Sequence, residues 1–319
     1  MSRAAFDYLS RLAVGFGQGW TRFWFTPSDP TTLSLVRLLV GVLVVYLHAT
    51  LAPDLIAFFG SDGLLSWEVI APIEADAFTF WNYFQSPGEL WTVYLVGLVL
   101  LVCFAAGWWT RWTSILALIV FLSDINRAVV ITSRTECVTA MMMCYLCLAP
   151  CGRRFSVDRW LELRRAAPER QPATPQWSTA ATIATRLIQI HLSLIVAMMG
   201  FSQLSGEVWW SGAGVLWLMA RPDSRLVDLS WLYGSPRAIE LWTHMIVLFE
   251  FAFPLLIWVP LARPLLICLA AVMWGSLALL TGETTFALAL FIASLSFVSP
   301  DWLRGRRQPT AAQTLPQTP

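Results

Sequence analysis

The sequence predicts an all-α integral membrane protein: a polytopic bundle of about eight transmembrane helices, led by an N-terminal amphipathic helix that lies in the membrane interface. Three observations carry that prediction. Hydrophobic residues make up 57% of the 319 and charged residues only 13%, against about 25% charged in an ordinary soluble domain. The apolar residues gather into stretches near the ~20 residues that a helix needs to cross the hydrocarbon core. The arginines gather in alternate connections. The same composition excludes a disordered chain, which is poor in apolar residues and rich in charge. Six cysteines in 319 residues are too few for a disulfide-stapled secreted domain. A net charge of +1 lacks the basic surface of a nucleic-acid binder, so no nucleic-acid partner is expected.

The elements follow in order. Residues 4–25 mix Phe6, Tyr8, Phe16, Trp20, Phe23, Trp24 and Phe25 with Arg11 and Arg22, the pattern of a helix lying in the interface. Asp7 and Arg11 interrupt the apolar run and no small-residue cleavage site follows, which argues against a signal peptide. Residues 1–30 are therefore read as an interfacial segment and 31–303 as the transmembrane domain. Its crossings are expected at 33–51, 90–108, 113–132, 136–150, 185–204, 240–259, 263–281 and 284–299. The stretches 136–150 and 284–299 are short. Residues 151–184 read as a cytoplasmic linker, an arginine-rich amphipathic start followed by the proline-containing PATPQ. Residues 304–319 have no apolar periodicity and read as a disordered cytoplasmic tail.

Arginine placement sets the orientation. With the N-terminus inside, fourteen of the 21 basic residues fall on the cytoplasmic side. Only Arg221, Arg225 and Arg237 fall outside, and Arg37, Arg127, Arg134 and Arg186 lie in or at the ends of spans. The outer loop 52–89 has Asp54, Asp62, Glu68, Glu74, Asp76 and Glu89 and no arginine. Both termini are thus expected in the cytoplasm, with the protein in a bacterial inner (plasma) membrane. All 21 basic residues are arginine, so a lysine base or Schiff base is closed to this chain.

An ionisable side chain at mid-bilayer costs about 2.5–3.5 kcal/mol on insertion scales, so each one calls for a partner or a role. Arg37 sits near the cytoplasmic end of the first span, where it can snorkel to the headgroups or find a partner. His48, near the outer end, reads as interfacial rather than as a ligand. Asp124 and Arg127 are three residues apart, on one helical face, and can neutralise each other, either as a structural ion pair or as part of a site. Ser133, Arg134, Thr135 and Glu136 form an outer turn, either plain or part of a site. Arg186, Gln189, Ser193, Gly200 and Gln203 recur at helical period. That polar stripe must face other helices or water. His191 lies off it. Glu250 has no charge beside it on its own helix, so Arg127 or Arg186 is the expected partner. Glu283, in the turn before the last span, needs no special role.

Cys137, Cys144, Cys147 and Cys151 are spaced seven, three and four apart and share one helical face. Soft sulfur ligands suit Cu(I), and Cys144–Cys147 is a CxxC that suits a redox dithiol. No histidine accompanies them, and their inner end faces a reducing cytoplasm. Packing is therefore the favoured role, and no metal is expected. The chain has no GxSxG, HExxH, Walker loop or dinucleotide fingerprint.

Four stretches, taken in order, carry a family resemblance. They are RFWFTPSDPTTLSLVRLLVG at 22–41; Asn126-Arg127 with LAPCG at 148–152 and FSVD at 155–158; RLIQIHLSLIVAMMGFSQLSGEVWWSGAG at 186–214; and EFAFPL at 250–255. Together they resemble the HTTM domain family, the membrane domain shared with vitamin K-dependent gamma-carboxylase. The resemblance implies the bundle fold and an outward-facing polar pocket near Gln203, Arg134 and Trp210. In the carboxylase a lysine in the span-five motif is the proposed base that initiates vitamin K hydroquinone oxidation. The matching position here is Gln203, and an amide cannot take that proton. The family's Asn-Asn-His run maps to 133–135, where no histidine stands.

The expectation is therefore a pocket for a lipophilic small molecule, a quinone or lipid, lined by Arg134, Glu136, Gln203 and Trp210. Arg37, Asp124, Arg127, Arg186, Gln189 and Glu250 would form a supporting network. The alternative is a non-enzymatic membrane scaffold or maturation partner for another membrane or exported protein. A transporter is disfavoured by the lack of a repeat and of matching Gly/Pro-broken helices. The departure at Gln203 predicts no fixation of carbon dioxide into a glutamyl peptide driven by reduced vitamin K. Labelled carbon dioxide incorporated above the no-enzyme background would overturn that expectation.

Overall fold

The computed structural model describes residues 3–61, 63–64, 78–165, 176–220 and 226–304. The linker centre, residues 166–175, and the tail from 305 onward lie outside the described residues, as do Asp62, Glu68, Glu74 and Asp76 of the 52–89 connection and Arg221 and Arg225. Among the described residues the secondary structure is helical, with one isolated antiparallel bridge between Ser28 and Ser178. The chain begins with α1 (Arg3–Phe25), α2 (Thr31–Ala49), α3 (Leu55–Phe59), α4 (Pro87–Ala106) and α5 (Thr110–Arg127). Next come α6 (Arg134–Cys147), α7 (Val157–Arg165), α8 (Thr179–Leu204), α9 (Glu207–Trp210) and α10 (Gly214–Met219). Last are α11 (Pro236–Leu256), α12 (Arg263–Thr281), α13 (Thr284–Ser294) and α14 (Pro300–Leu303).

Five of these, α2, α4, α8, α11 and α12, are long and apolar enough to cross a membrane. The chain is an all-α membrane protein. The other three expected crossings fall below that mark for separate reasons. α5 carries Arg111, Asp124 and Arg127. α6 is 14 residues long. α13 gives way after Ser294 to a 3₁₀ turn at Leu295–Phe297.

Local chemistry sets the helix starts. Ser86 and Glu89 form a capping box ahead of α4, and Ser133 and Glu136 form another ahead of α6. Ser178 caps α8, which therefore begins at Thr179, so residues 179–184 belong to a helix and not to the linker. α6 ends at Cys147, so Cys151 does not continue the cysteine face expected from spacing.

α2 packs against α4 and α11 against α8, while α6 and α13 complete the centre. On α2, Leu33, Val36, Val40, Leu43 and Val44 are buried at helical period. Gly41 brings α4 close, because a Cβ there would lie 2.5 Å from the Ala105 Cα.

Arg37 lies on this buried face and is fully enclosed. It donates to the carbonyls of Phe104 (2.6 Å), Ala105 (2.8 Å) and Phe155 (2.5 Å). The last carbonyls of α4 have no partner within their own helix and carry its negative dipole end. Arg37 caps them instead of snorkelling. Gly107 follows in the left-handed conformation (φ 73°), where a side chain would collide with Ser156 and Arg37.

At the other end the Asp124–Arg127 pair that the spacing permits does not form. Asp124 takes the His48 Nδ1 at 2.7 Å and the Trp81 Nε1 at 2.9 Å. Arg127 donates to the Phe59 carbonyl at 3.3 Å and lies over the Phe59 ring. His48 is buried, not interfacial. It stacks on Tyr94 at 4.5 Å and makes a 3.2 Å contact from Nε2 to the Tyr94 carbonyl. Partners on other elements win because they reach Asp124 from α2 and from the 3₁₀ turn Phe80–Tyr83 at once.

Breaking one half of a buried pair leaves the other charge uncompensated, at about 3–5 kcal/mol. Asp124→Leu is expected to destabilise the protein on that scale in equilibrium unfolding from mixed micelles. The double variant His48→Leu/Asp124→Leu should recover part of the loss. A double variant as unstable as the sum of the two single changes would contradict the pairing.

Candidate functional site

α6 and α8 lie side by side and enclose an elongated groove of about 1000 Å³, at the top of the usual range for ligand cavities. On α8 the lining residues His191, Leu194, Ile195, Met198, Ser202 and Gln203 follow the helical period. At 1.5 Å per residue they span about 18 Å. On α6, Arg134, Cys137, Val138 and Met141 repeat the pattern. Phe286 of α13 and Trp209 of α9 complete the wall near Gln203. The middle of the groove is apolar and both of its ends are polar.

The end of the groove at the start of α6 and the finish of α8 holds Arg134 and Gln203. Arg134 Nη2 donates to both Glu283 oxygens at 2.6 and 2.7 Å, and its guanidinium lies 5.0 Å over the Phe286 ring. Glu283, for which the turn before the last span suggests no special role, thus orients a groove residue. Glu136 is not among the lining residues. Its carboxylate accepts from the Ser133 N–H (2.8 Å) and hydroxyl (2.6 Å) and starts α6. Trp210 donates its Nε1–H to the Leu204 carbonyl at 2.5 Å, and the lining tryptophan is its neighbour Trp209.

Behind Gln203 lies Glu250, fully buried. Gln203 Nε2 donates to Glu250 Oε1 at 3.1 Å. The carboxyl partner is therefore Gln203, and neither Arg127 nor Arg186 fills that place. Gly200 makes the approach possible, since a Cβ there would meet the Glu250 Cβ at 3.3 Å and the Phe251 ring at 3.1 Å. Gln203 Oε1 and Glu250 Oε2 are both buried without a protein partner.

The opposite end holds His191, whose Nδ1 makes a 2.5 Å hydrogen bond with the Tyr145 hydroxyl. The polar stripe passes His191 by, and the sequence pattern assigns Tyr145 no role. The signal was present in the spacing: Met141 to Tyr145 is one turn, and His191 begins the lining period of α8.

The expected supporting network divides into separate groups. Arg186 Nη1 donates to Gln189 Oε1 at 2.9 Å, and Gln189 Nε2 donates to the Ser296 carbonyl at 2.8 Å. Ser193 returns its hydroxyl to the Gln189 carbonyl at 2.9 Å. Arg37, Asp124 and Arg127 each sit in the arrangements described above, away from Gln203 and Glu250.

All six cysteines are free. Cys137 lines the groove, Cys144 is exposed, Cys147 is half-buried and Cys151 is buried. Among the described residues no group of three or more His, Cys, Asp or Glu side chains converges to hold a metal ion.

Burial pushes the Cys151 thiol, which lies beyond α6, from 9.0 up to about 12. The thiolate is the reactive form, so Cys151 should react with a membrane-permeant maleimide at least ~100-fold more slowly than Cys137 at neutral pH. Peptide mapping after timed labelling reads both rates, and equal rates would contradict this packing. No family model, curated protein or solved structure matches this chain, so the reading of the groove rests on its own geometry.

Proposed function

We propose that this chain is a multi-pass membrane protein that holds a lipophilic small molecule, a quinone or lipid, in the groove between α6 and α8. The observation that carries the reading is the groove's division: an apolar channel about 18 Å long with a polar group at each end. Leu194, Ile195, Met198, Val138 and Met141 suit an alkyl or isoprenoid chain. At the outer end the Arg134 guanidinium would donate to a carbonyl or phosphate oxygen. The unpartnered oxygens behind Gln203 mark where a further donor would be welcome, since an unmet buried acceptor costs about 1–3 kcal/mol.

We place the chain, on its motifs, with the HTTM family. Its topology in this reading has eight crossings, an interfacial N-terminal helix and both termini in the cytoplasm of a bacterial inner membrane. The exposed Tyr8, Leu12, Phe16 and Trp20 of α1 support the interfacial position. Gln203 in the place of the family lysine makes glutamate carboxylation an activity this chain is not expected to have. The second reading is a scaffold or maturation partner for another membrane or exported protein. It draws on the arginines of α7.

Native mass spectrometry of protein released from lipid nanodiscs tests the choice. One stoichiometric small-molecule adduct is expected. It should be lost, or weakened about tenfold, in Gln203→Leu and in Arg134→Gln. A bare chain, or a co-purifying protein in place of the adduct, would overturn the binding reading and favour the scaffold.

A further inference from the structure

At the far end of the bundle from Gln203, two arginines face one aromatic bed. Arg186, two turns into α8, lies 4.4 Å over the Phe23 ring and 6.0 Å from the Trp258 ring. Arg263, the first residue of α12, donates Nε–H to the Ile257 carbonyl at 3.2 Å and Nη2–H to the Trp258 carbonyl at 3.4 Å. Its guanidinium lies 5.9 Å from the Phe297 ring. The rings touch in sequence, Phe23 to Trp258 at 5.9 Å and Trp258 to Phe297 at 5.2 Å. Trp258, in the turn between α11 and α12, is thus common to both cations, and the charge of Arg263 acts on Arg186.

Two like charges held together in a half-buried place repel unless an anion lies between them. Among the described residues neither arginine forms a salt bridge. None of the carboxylates described at this end pairs with either arginine. Asp29 holds Arg304 and the Thr31 N–H and hydroxyl. Asp158 accepts from the Trp109 and Thr110 backbone and the Thr110 hydroxyl. Glu162 holds Arg159. The ring faces offer partial compensation to each cation, worth about 0.5–2 kcal/mol. Arg186 spends Nη1 on Gln189 Oε1, and Arg263 spends Nε and one Nη2 hydrogen on the two carbonyls; the Nε–Nη2 edge of Arg186 and Nη1 of Arg263 are left to meet an acceptor. One further donor, the buried Trp24 Nε1–H, has no partner, and Trp24 packs edge-on against Phe23 at 5.3 Å.

We infer that Arg186 and Arg263, seated on Phe23, Trp258 and Phe297, form a binding site for a phosphate group, supplied by the headgroup of an anionic phospholipid. Guanidiniums match phosphate by paired N–H donors. Basic pockets between helices on the cytoplasmic side are where such headgroups bind. The site is separate from the groove and stands or falls independently of the function proposed for it.

The test uses the full chain in nanodiscs made of equal parts phosphatidylglycerol and phosphatidylcholine, followed by detergent release and native mass spectrometry. Wild type is expected to keep one phosphatidylglycerol and to shed phosphatidylcholine. Arg186→Gln and Arg263→Gln should each reduce that retention about tenfold. Each variant is required only to unfold cooperatively in phosphatidylcholine nanodiscs, which shows that it folds. If either glutamine variant fails to fold, Arg186→Lys and Arg263→Lys keep the charge and lose the paired geometry, and weakened retention in those variants supports the site. Equal retention of the two lipids overturns the proposal. So does undiminished phosphatidylglycerol retention in the folded variants. Inorganic phosphate that binds the lipid-free protein and displaces phosphatidylglycerol would overturn the lipid source.

Discussion

A polar side chain enclosed in an apolar bundle must find its partner within the protein, and that constraint orders this chain. Arg37 meets it by capping the end of α4, which locks α2, α4 and the turn at Phe155 together. His48 and Asp124 meet it across α2 and α5, with Trp81 drawn in from the connection between α3 and α4. Gln189 meets it through the Ser296 carbonyl, which ties α8 to the turn after α13. Each bond joins elements far apart in sequence. Apolar packing between membrane helices has little directionality, so these few bonds supply the register that packing alone does not.

The constraint also identifies where the protein is incomplete. Glu250 is fully enclosed and receives one donor, from Gln203, while its second oxygen and the Gln203 carbonyl oxygen receive none. Gly200 permits this closeness by removing a side chain from the contact between α8 and α11. The groove begins on the other side of Gln203, and its long middle is lined by leucine, isoleucine and methionine. Methionine side chains adapt their shape readily, which suits a chain-like occupant of varied conformation. At the opposite end the groups left over are donors, the Nε–Nη2 edge of Arg186 and Nη1 of Arg263.

Much of this was legible in the sequence. The stripe from Arg186 to Gln203 follows helical period, and its buried members Gln189, Ser193 and Gly200 do face neighbouring helices. A cavity shared by Arg134 and Gln203 is expected only from the family resemblance, since nothing in the spacing sets α6 beside α8. Pairings across elements were not legible. Spacing says that Asp124 and Arg127 can meet, but it cannot show His48 and Trp81 arriving first. Likewise, Glu250 invites a cation by charge alone, whereas Gln203 is the residue that Gly200 lets come near. The choice between Trp209 and Trp210 depends on a rotation of about 100° along a four-residue helix, which no period in so short an element fixes. Glu136 was misassigned because a capping box and a binding carboxylate use the same residue types.

An experimental density map of the protein extracted with its native lipid tests the groove most directly. Elongated density is expected between α6 and α8, running past Met198 and Leu194, with a polar end within hydrogen-bond distance of Arg134 or Gln203. A groove closed by its own side chains, or covered by a second polypeptide, would contradict a small-molecule site there.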